Sequence, residues 1–503
     1  MKIKKNFDFE NLFVFDLANN HQGDIEHGIK IIRKLIEISK KKKIRSAIKF
    51  QFRQLETFIH PNYKNNKDIK HIDRFESTKL KIEDYKKMVD LIKENNIYTM
   101  CTPFDEESLK FINKLGIDIL KIASCSFNDN PLTKEILKTK MPVIASTGGS
   151  ELKEIDNFVT KFEGNKMNFA INHCIPIYPT PRKKLELNQI DNLKKRYPDI
   201  TVGWSTHEDP NDFDTIKLAY AKGARMFERH VGMETSKYKL NKYSSNPDQL
   251  EKWIDAFNLA KESCGAINRP PTSTEEQDSL KSLIRGVFAK KDIKKGEKLN
   301  EKNTFFAMPY INGKMSVQDW SDGLLSFKDY KANEPLEKNE KILSNTQTIS
   351  NILMQTNGLL RQAGIKISEN WEYEISHHYG LERFREFGAI LIDIINREYC
   401  KKLIVQLPRQ KHPYHFHKRK EETFHVLFGD LEIEKNGNPI LLKTGDTFLV
   451  EPKDWHKFST VHGVVFEEIS TTHYKDDSFY QDEKINNLGR DNRKTKVKLN
   501  QFI

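Results

Sequence analysis

The first 230 residues alternate between short apolar runs and longer stretches with apolar positions every three or four residues. The apolar runs fall at 12–16, 46–51, 98–102, 117–124, 142–147, 168–174, 201–205 and 224–230. Helix-period segments at 24–41, 105–115, 132–139 and 211–221 lie between them. This alternation predicts parallel strands joined by crossover helices. Eight strands in this span match the size of a (β/α)8 barrel. A doubly wound open sheet is the alternative, but no Gly-rich dinucleotide fingerprint follows the first strand.

The pattern then changes. Residues 268–276 (NRPPTSTEE) form a linker by composition. A compact segment over 279–345 contains RGVFAKKDIKKGE at 285–297 and reads as short strands and turns. A third unit over 349–503 begins with a helical lead-in and becomes strand-rich at 403–407, 423–428, 431–434, 447–451 and 464–469. Many short strands separated by turn residues predict a small β-barrel or jelly roll. The expected domains are therefore 1–267, 279–345 and 349–503.

Composition narrows the class. The chain has 503 residues, 37% hydrophobic and 31% charged, enough apolar material for several cores. No apolar run is long enough for a membrane span, and acidic residues interrupt the N-terminal stretch, so no signal peptide is read there. Five scattered Cys without a C-x-x-C pair argue against a disulfide framework and against a thiolate zinc site, and fit a reducing cytoplasm. The net charge of +12 is spread over many amphipathic segments, apart from a short run at 40–43 and a basic tail near 490–498. With no zinc finger and no aromatic-interleaved RNA-binding signature, a solvated surface is favoured over nucleic-acid binding.

Function in such a barrel sits at the C-terminal strand ends. Those ends hold Asp16, Lys49, Thr102, Lys121, Ser124, Ser146, His173, Ser205, His207, Glu228 and His230, expected on one face. Paired lysines and hydroxyls, with backbone amides near Gly148 and Gly149, suit a phosphate plus a carboxylate. His207 and His230 end adjacent strands and could share a divalent metal with open positions. Asp16 could act as a base or hold a substrate hydroxyl. Taken singly, a strand-end Lys is usually a surface residue and a lone His usually structural; their concentration on one face carries the reading.

The strings DLANNHQGD at 16–24, KFQ at 49–51, TPFD at 102–105, KIAS at 121–124 and STG at 146–148 resemble the motifs of the sialic acid synthase family. So do HC at 173–174 with IYPTP at 177–181, GWSTH at 203–207 and ERH at 228–230. The middle segment is similar to the family's antifreeze-protein-like (SAF) module at Arg285 and at KDIKKGE, 291–297. The resemblance covers roughly the first 345 residues. It implies condensation of phosphoenolpyruvate with an open-chain (N-acetyl)mannosamine-type sugar aldehyde to a 2-keto-3-deoxy nonulosonic-type acid, with Mn2+ or Mg2+. It further implies that Lys49, Thr102, Lys121, Ser124, Ser146 and Ser205 hold phosphoenolpyruvate, and that His207 and His230 hold the metal. Gln51 and Tyr178 would line the sugar pocket, and Arg285 would reach a partner's site in a domain-swapped homodimer. Asp16 replaces the family's glutamate, Pro176 an asparagine and Asn241 an aspartate. These departures lie on the sugar side, so the acceptor's identity is left open. The alternatives are a metal-dependent aldolase or isomerase that does not use phosphoenolpyruvate, and a non-catalytic carbohydrate-binding protein.

In the third unit, His415, His417, Glu422 and Gly429 fit H-x-H-x4-E-x6-G, and Gly445, Pro452 and His456 follow. Alternate strand residues share a face, so His415 and His417 point inward together, and Glu422 and His456 can join them around a divalent metal such as Mn2+, Zn2+ or Fe2+. His412 and His425 sit off this pattern and read as structural. The spacing looks like the two-part cupin motif, with one extra residue in its second half. The unit is similar to sugar-isomerase cupins of the D-lyxose type, which implies an isomerase; the rival reading is a domain that only binds a sugar or stiffens the assembly.

Overall fold

A computed structural model describes residues 7–66, 68–267, 269–338, 345–366, 368, 370–489 and 492–498. Part of the expected linker (268), the end of the expected middle domain (339–344) and parts of the basic tail (490–491) and C-terminus (499–503) lie outside the described residues. The chain forms two compact units, 1–271 and 272–503.

The first unit is a closed barrel of eight parallel strands in sequence order. They are β1 (Leu12–Asp16), β2 (Arg45–Phe52), β3 (Tyr98–Pro103), β4 (Ile119–Ile122), β5 (Val143–Ser146), β6 (Phe169–Cys174), β7 (Val202–Thr206) and β8 (Met226–His230). Closure is made by β1 on β8, with Leu12 opposite Met226 and Asp16 opposite His230, so the open-sheet alternative is excluded. Inside, alternate residues stack in layers. Leu12, Val14, Ala47, Met100, Ile119, Ile144, Ala170 and Met226 fill the N-terminal end. The next layers toward the C-terminal ends are polar. The other strand parity, including Phe13, Phe15, Ile48 and Phe50, packs outward against the helices.

One expectation needs adjustment. The run 117–124 is longer than β4, because Asp118 bonds Thr99 through its carboxylate before the strand, and Ser124–Ser126 turns away as one 3-10 turn after it. The lysine run at 40–43 closes the helix Ile25–Lys42, where Lys40, Lys41 and Lys42 complement the negative end of the helix dipole. Lys41 and Lys42 also pair with Glu251 (2.6 Å) and Asp255 (2.7 Å).

In the second unit, β9 (Gly286–Ala289) and β10 (Thr304–Ala307) pair antiparallel. Val287, Ala289, Ile293, Leu299, Met315, Tyr330 and Leu336 form their core. After the helix Asn345–Gln362, two antiparallel sheets follow. The larger comprises β11 (Glu372–Ser376), β12 (Ala389–Asn396), β13 (Tyr399–Gln406), β15 (Glu422–Gly429), β18 (Thr447–Val450), β20 (Val464–Thr471) and β22 (Lys494–Lys498). The smaller comprises β14 (His415–Phe416), β16 (Leu431–Lys435), β17 (Asn438–Leu442), β19 (His456–Ser459) and β21 (Phe479–Tyr480). Their facing apolar residues include Ile404, Phe424, Val426, Ile433, Phe458 and Phe466. Among the described residues, no helix is long and apolar enough to cross a membrane.

Candidate active site and metal centre

Strand parity brings Asp16, Lys49, Lys121, Ser146, Asn172, Ser205 and Glu228 to the barrel's interior, all buried. The Lys49 ammonium lies 2.9 Å from the Asp16 carboxylate and is also paired with Glu228. Lys121 Nζ reaches the other Glu228 oxygen at 2.7 Å and donates to Ser146 Oγ at 2.6 Å. Asn172 Nδ2 donates to Glu228 as well, at 3.2 Å. Two ammonium groups and two carboxylates thus form one buried network that is electrically balanced.

The balance is uneven within the network. Burial penalises every member, yet the ammonium groups hold both carboxyls below their usual range: Lys49 for Asp16, Lys121 and Lys49 for Glu228. Burial also penalises the Lys49 ammonium, but its two carboxylates outweigh that and raise its pKa. Lys121 has one carboxylate, and burial leaves its pKa lowered. Asp16 has no spare capacity. Its Oδ2 meets Lys49, Gln51 Nε2 (3.1 Å) and His230 Nδ1 (3.4 Å), while Oδ1 accepts the Ala18 N–H (2.9 Å).

His207 and His230 come together, with ring centroids 5.3 Å apart. The Ile175 carbonyl, 3.1 Å from His207 Nδ1, can only accept, so Nδ1 carries the proton and Nε2 keeps its lone pair. Burial pushes the His207 pKa down to about 3 and also lowers that of His230. Both rings are therefore neutral donors near neutral pH, which suits a divalent cation. Tyr178 covers the pair, its ring 4.2 Å from that of His207, and Tyr243 lies 5.3 Å from His230.

The remaining predicted residues fall around this centre. Thr102 is buried at the end of β3, and its hydroxyl has no hydrogen-bond partner among the described residues. The Cys174 thiol contacts the Ser124 and Ser205 hydroxyls. A Cβ on Gly148 would lie 2.7 Å from Ser124 Oγ and 2.9 Å from the Cys174 carbonyl, so glycine is required there. Asn241 shapes its loop by accepting the Tyr243 and Ser244 N–H groups, and it donates to Asn20 at 3.3 Å. Arg285 stands exposed in the other unit, ahead of β9 and 5.9 Å over the Phe306 ring.

His173 does not join the face on which it was expected. It has the outward parity of β6 and bonds the Leu185 carbonyl at 2.8 Å. The inward residue is its neighbour Asn172, which carried no expectation. Glu228 was placed at a strand end without a role, yet it is the hub of the network. The signal for both was parity: 172 is in phase with 170 and 174, and 228 with 226 and 230.

In the second unit, His415, His417 and His456 offer ligand atoms that all lie within 4.8 Å of one another. Each ring is fixed through Nδ1 by a backbone carbonyl: Pro413 (3.0 Å), Asp477 (2.5 Å) and Asp454 (3.1 Å). Three Nε2 atoms therefore face one point. Glu422 Oε1 lies 3.4 Å from His417 Nε2, and Oε2 lies 3.2 Å from His456 Nε2. Among the described residues, Glu422 Oε2 and His456 Nε2 are buried without hydrogen-bond partners, which fits a pair of cation ligands. Lys420 pairs with Glu422 (2.5 Å) and Glu468 (2.8 Å) beside the cluster. The adjoining cavity holds about 40 Å3. His412 packs flat on Phe458, centroids 4.4 Å apart, and 4.6 Å from His415, so it supports the cluster from behind. His425 is partly exposed, 3.6 Å from Glu467, away from the cluster.

Against known proteins, the model of the NeuB family matches residues 35–269. A solved Chromobacterium violaceum structure, described as a spore coat polysaccharide biosynthesis protein E, is 40% identical. It covers 65% of this chain and 98% of its own, with a TM-score of 0.63. The chain belongs to the NeuB family. An uncharacterized protein of Methanocaldococcus jannaschii is 31% identical over 58% of this chain and 82% of its own length. The N,N'-diacetyllegionaminic acid synthase of Campylobacter jejuni is 28% identical, over 65% of this chain and 98% of its own. The N-acetylneuraminate-9-phosphate synthase of Drosophila melanogaster is 28% identical, over 55% and 76%. The NeuB match ends with the barrel, and the cupin domain model matches residues 403–466, which contain all four candidate ligands of the second unit.

Proposed function

We propose that the barrel condenses phosphoenolpyruvate with the aldehyde of an open-chain sugar, giving a 2-keto-3-deoxy sugar acid and inorganic phosphate. The observation that carries this reading is the buried Lys49–Glu228–Lys121 network beside two neutral imidazoles. A donor bearing both phosphate and carboxylate needs cations; an aldehyde needs activation at its oxygen. His207 and His230 would hold the divalent ion, which when bound supplies Lewis-acid polarisation of a carbonyl oxygen.

The chain's own groups do the rest. Lys121, Ser146 and the unpartnered Thr102 hydroxyl present donors to the anionic ends of phosphoenolpyruvate, with Ser124 and Ser205 beside them. C3 of the donor attacks the aldehyde carbon, water adds at C2, and the tetrahedral intermediate expels phosphate. Asp16 is a held anion with a lowered pKa, so its part is to fix Lys49, Gln51 and His230 rather than to remove a proton. Tyr178 and Gln51 border the sugar. Arg285 of the partner subunit would complete the site in a domain-swapped dimer; full activity of an isolated monomer would refute that.

The test uses the metal-loaded chain with phosphoenolpyruvate and a panel of aldoses. Phosphate release that needs both substrates supports the synthase; release without a sugar, or none with any sugar, contradicts it. A reaction that leaves phosphoenolpyruvate untouched would favour the aldolase or isomerase alternative.

The cupin domain has its own reading. Its three Nε2 atoms and Glu422 would hold a divalent cation, and Lys420 with Glu468 would support proton transfer beside a sugar carbonyl, as an isomerase requires. Aldose–ketose interconversion by the full chain without phosphoenolpyruvate, lost in His456→Ala, would support this. No interconversion across a broad sugar panel would reduce the domain to a binding or structural role.

A further inference from the structure

A cavity of about 350 Å3 opens beside the barrel site, bordered by Gln51 and Arg53 at the end of β2 and by Phe75, Lys79, Lys81 and Tyr85. Its lining contains three cations and no carboxylate. Lys79 has a distant exposed partner, Glu56, at 3.7 Å. Arg53 is different. Its guanidinium is sandwiched between Phe75 (4.0 Å) and Phe104 (3.6 Å), and it donates to Gln51 Oε1 at 3.3 Å. No salt-bridge partner for it is found among the described residues.

A largely buried guanidinium without a counter-ion is costly, and stacking on two rings offsets only part of that cost. Burial lowers its pKa to about 10, so it stays charged at neutral pH. Elsewhere in the site each ammonium already faces carboxylates. Arg53 is thus a cation with no salt bridge among the described residues, favoured only at longer range by Asp16 and Asp105; it stands at the edge of a cavity that a ligand can enter, and its planar fork matches a phosphate or carboxylate in two-point contact.

Which substrate carries the anion follows from position. Gln51 links Arg53 to Asp16, which contacts His230, so the cavity leads away from the aldehyde end of the acceptor. Lys121 and Ser146, the proposed anchors for phosphoenolpyruvate, lie on β4 and β5 instead. We propose that Arg53 selects an acceptor sugar with an anionic substituent, a phosphate ester or a carboxylate, at a carbon remote from the aldehyde. This rests on the synthase reading.

The experiment measures consumption of phosphoenolpyruvate by the metal-loaded full chain. Acceptors are compared in matched sets: mannose, N-acetylmannosamine and arabinose, each against its terminal phosphate ester and its terminal uronic acid. One charged arm should exceed its neutral parent in kcat/KM by about 10- to 100-fold, the scale of a hydrogen bond to a charged group. Whether the ester or the acid wins distinguishes phosphate from carboxylate. Arg53→Met keeps the apolar packing and should collapse the ratio toward one; Arg53→Lys should restore part of it. If Arg53→Met does not fold, thermal-shift titration of the unaltered chain reads the same preference as a larger stabilisation by the charged sugar. A neutral parent used as well as both charged forms, or a ratio unchanged in Arg53→Met, overturns the proposal while leaving the synthase intact. No consumption with any acceptor would instead remove the synthase reading on which it rests.

Discussion

The barrel and the cupin domain build their imidazole sites with the same local device and surround them differently. In both, a backbone carbonyl accepts from histidine Nδ1 and leaves Nε2 its lone pair, at His207 in the barrel and at His415, His417 and His456 in the cupin. The barrel then places two ammonium groups and two carboxylates in the adjoining layer, with a further cavity of about 350 Å3 at its rim. The cupin instead places a third histidine and Glu422 around its point, shares Lys420 between two carboxylates, and leaves about 40 Å3, with Lys402 and Lys494 also on the lining. That is space for an ion with a few waters. The ligand atoms would suit a cation in both places, whereas room separates a site that could take a larger substrate from one that could not.

The comparison can be broken most sharply at the ligands. His207→Ala should lower condensation by about a thousandfold or more, the scale of losing a preorganised electrostatic group. His456→Ala should leave condensation unchanged while reducing bound metal, as measured by phosphoenolpyruvate consumption and elemental analysis. Equal loss in both variants would show that the two sites are not independent. Next in size is the hub. Glu228→Gln leaves Lys49 and Lys121 short of a counter-ion and should cost about 3–5 kcal/mol of stability. Phosphoenolpyruvate, being an anion, should raise the melting temperature of this variant more than that of the unaltered chain; an equal shift in both would detach the lysines from the donor.

Acidification should affect both regions in the same direction. His207 and His412 have folded pKa values lowered from 6.5 to about 3, so the unfolded chain binds more protons between these limits. Stability is fully present above pH 6.5 and is lost as pH falls toward 3, by up to about 1.4 kcal/mol per pH unit for each such ring. Chelator-treated protein unfolded in urea across this range should show the slope; a flat profile would contradict the burial assigned to these rings. The smallest effect is at Gly148. A methyl group there presses on Ser124 and should weaken phosphoenolpyruvate binding by about 1–3 kcal/mol, seen in KM more than in kcat.

Much of this was legible in the sequence because fully buried parallel strands are continuous apolar runs with polar residues confined to their ends. What such a run does not display is parity. Within 168–174 the histidine drew attention and the asparagine beside it did not, although the barrel turns Asn172 inward and His173 toward Leu185. At 228–230 three consecutive charged or titratable residues split by the same rule. Glu228 and His230 face the site, while Arg229 faces outward to Glu208 at 3.2 Å. Arg53 was silent because it lies just past a strand, in a segment whose only signal was composition. In the cupin domain the H-x-H spacing marks its own parity, and all four expected ligands lie together.

The most direct measurement pairs donor consumption with the mass of the product. Incubated with metal, phosphoenolpyruvate and a cognate aldose, the chain should release one inorganic phosphate per new acid, whose mass is that of the sugar plus the pyruvate unit. Phosphate release uncoupled from that acid, or recovery of both substrates unchanged across the sugar panel, would contradict the account.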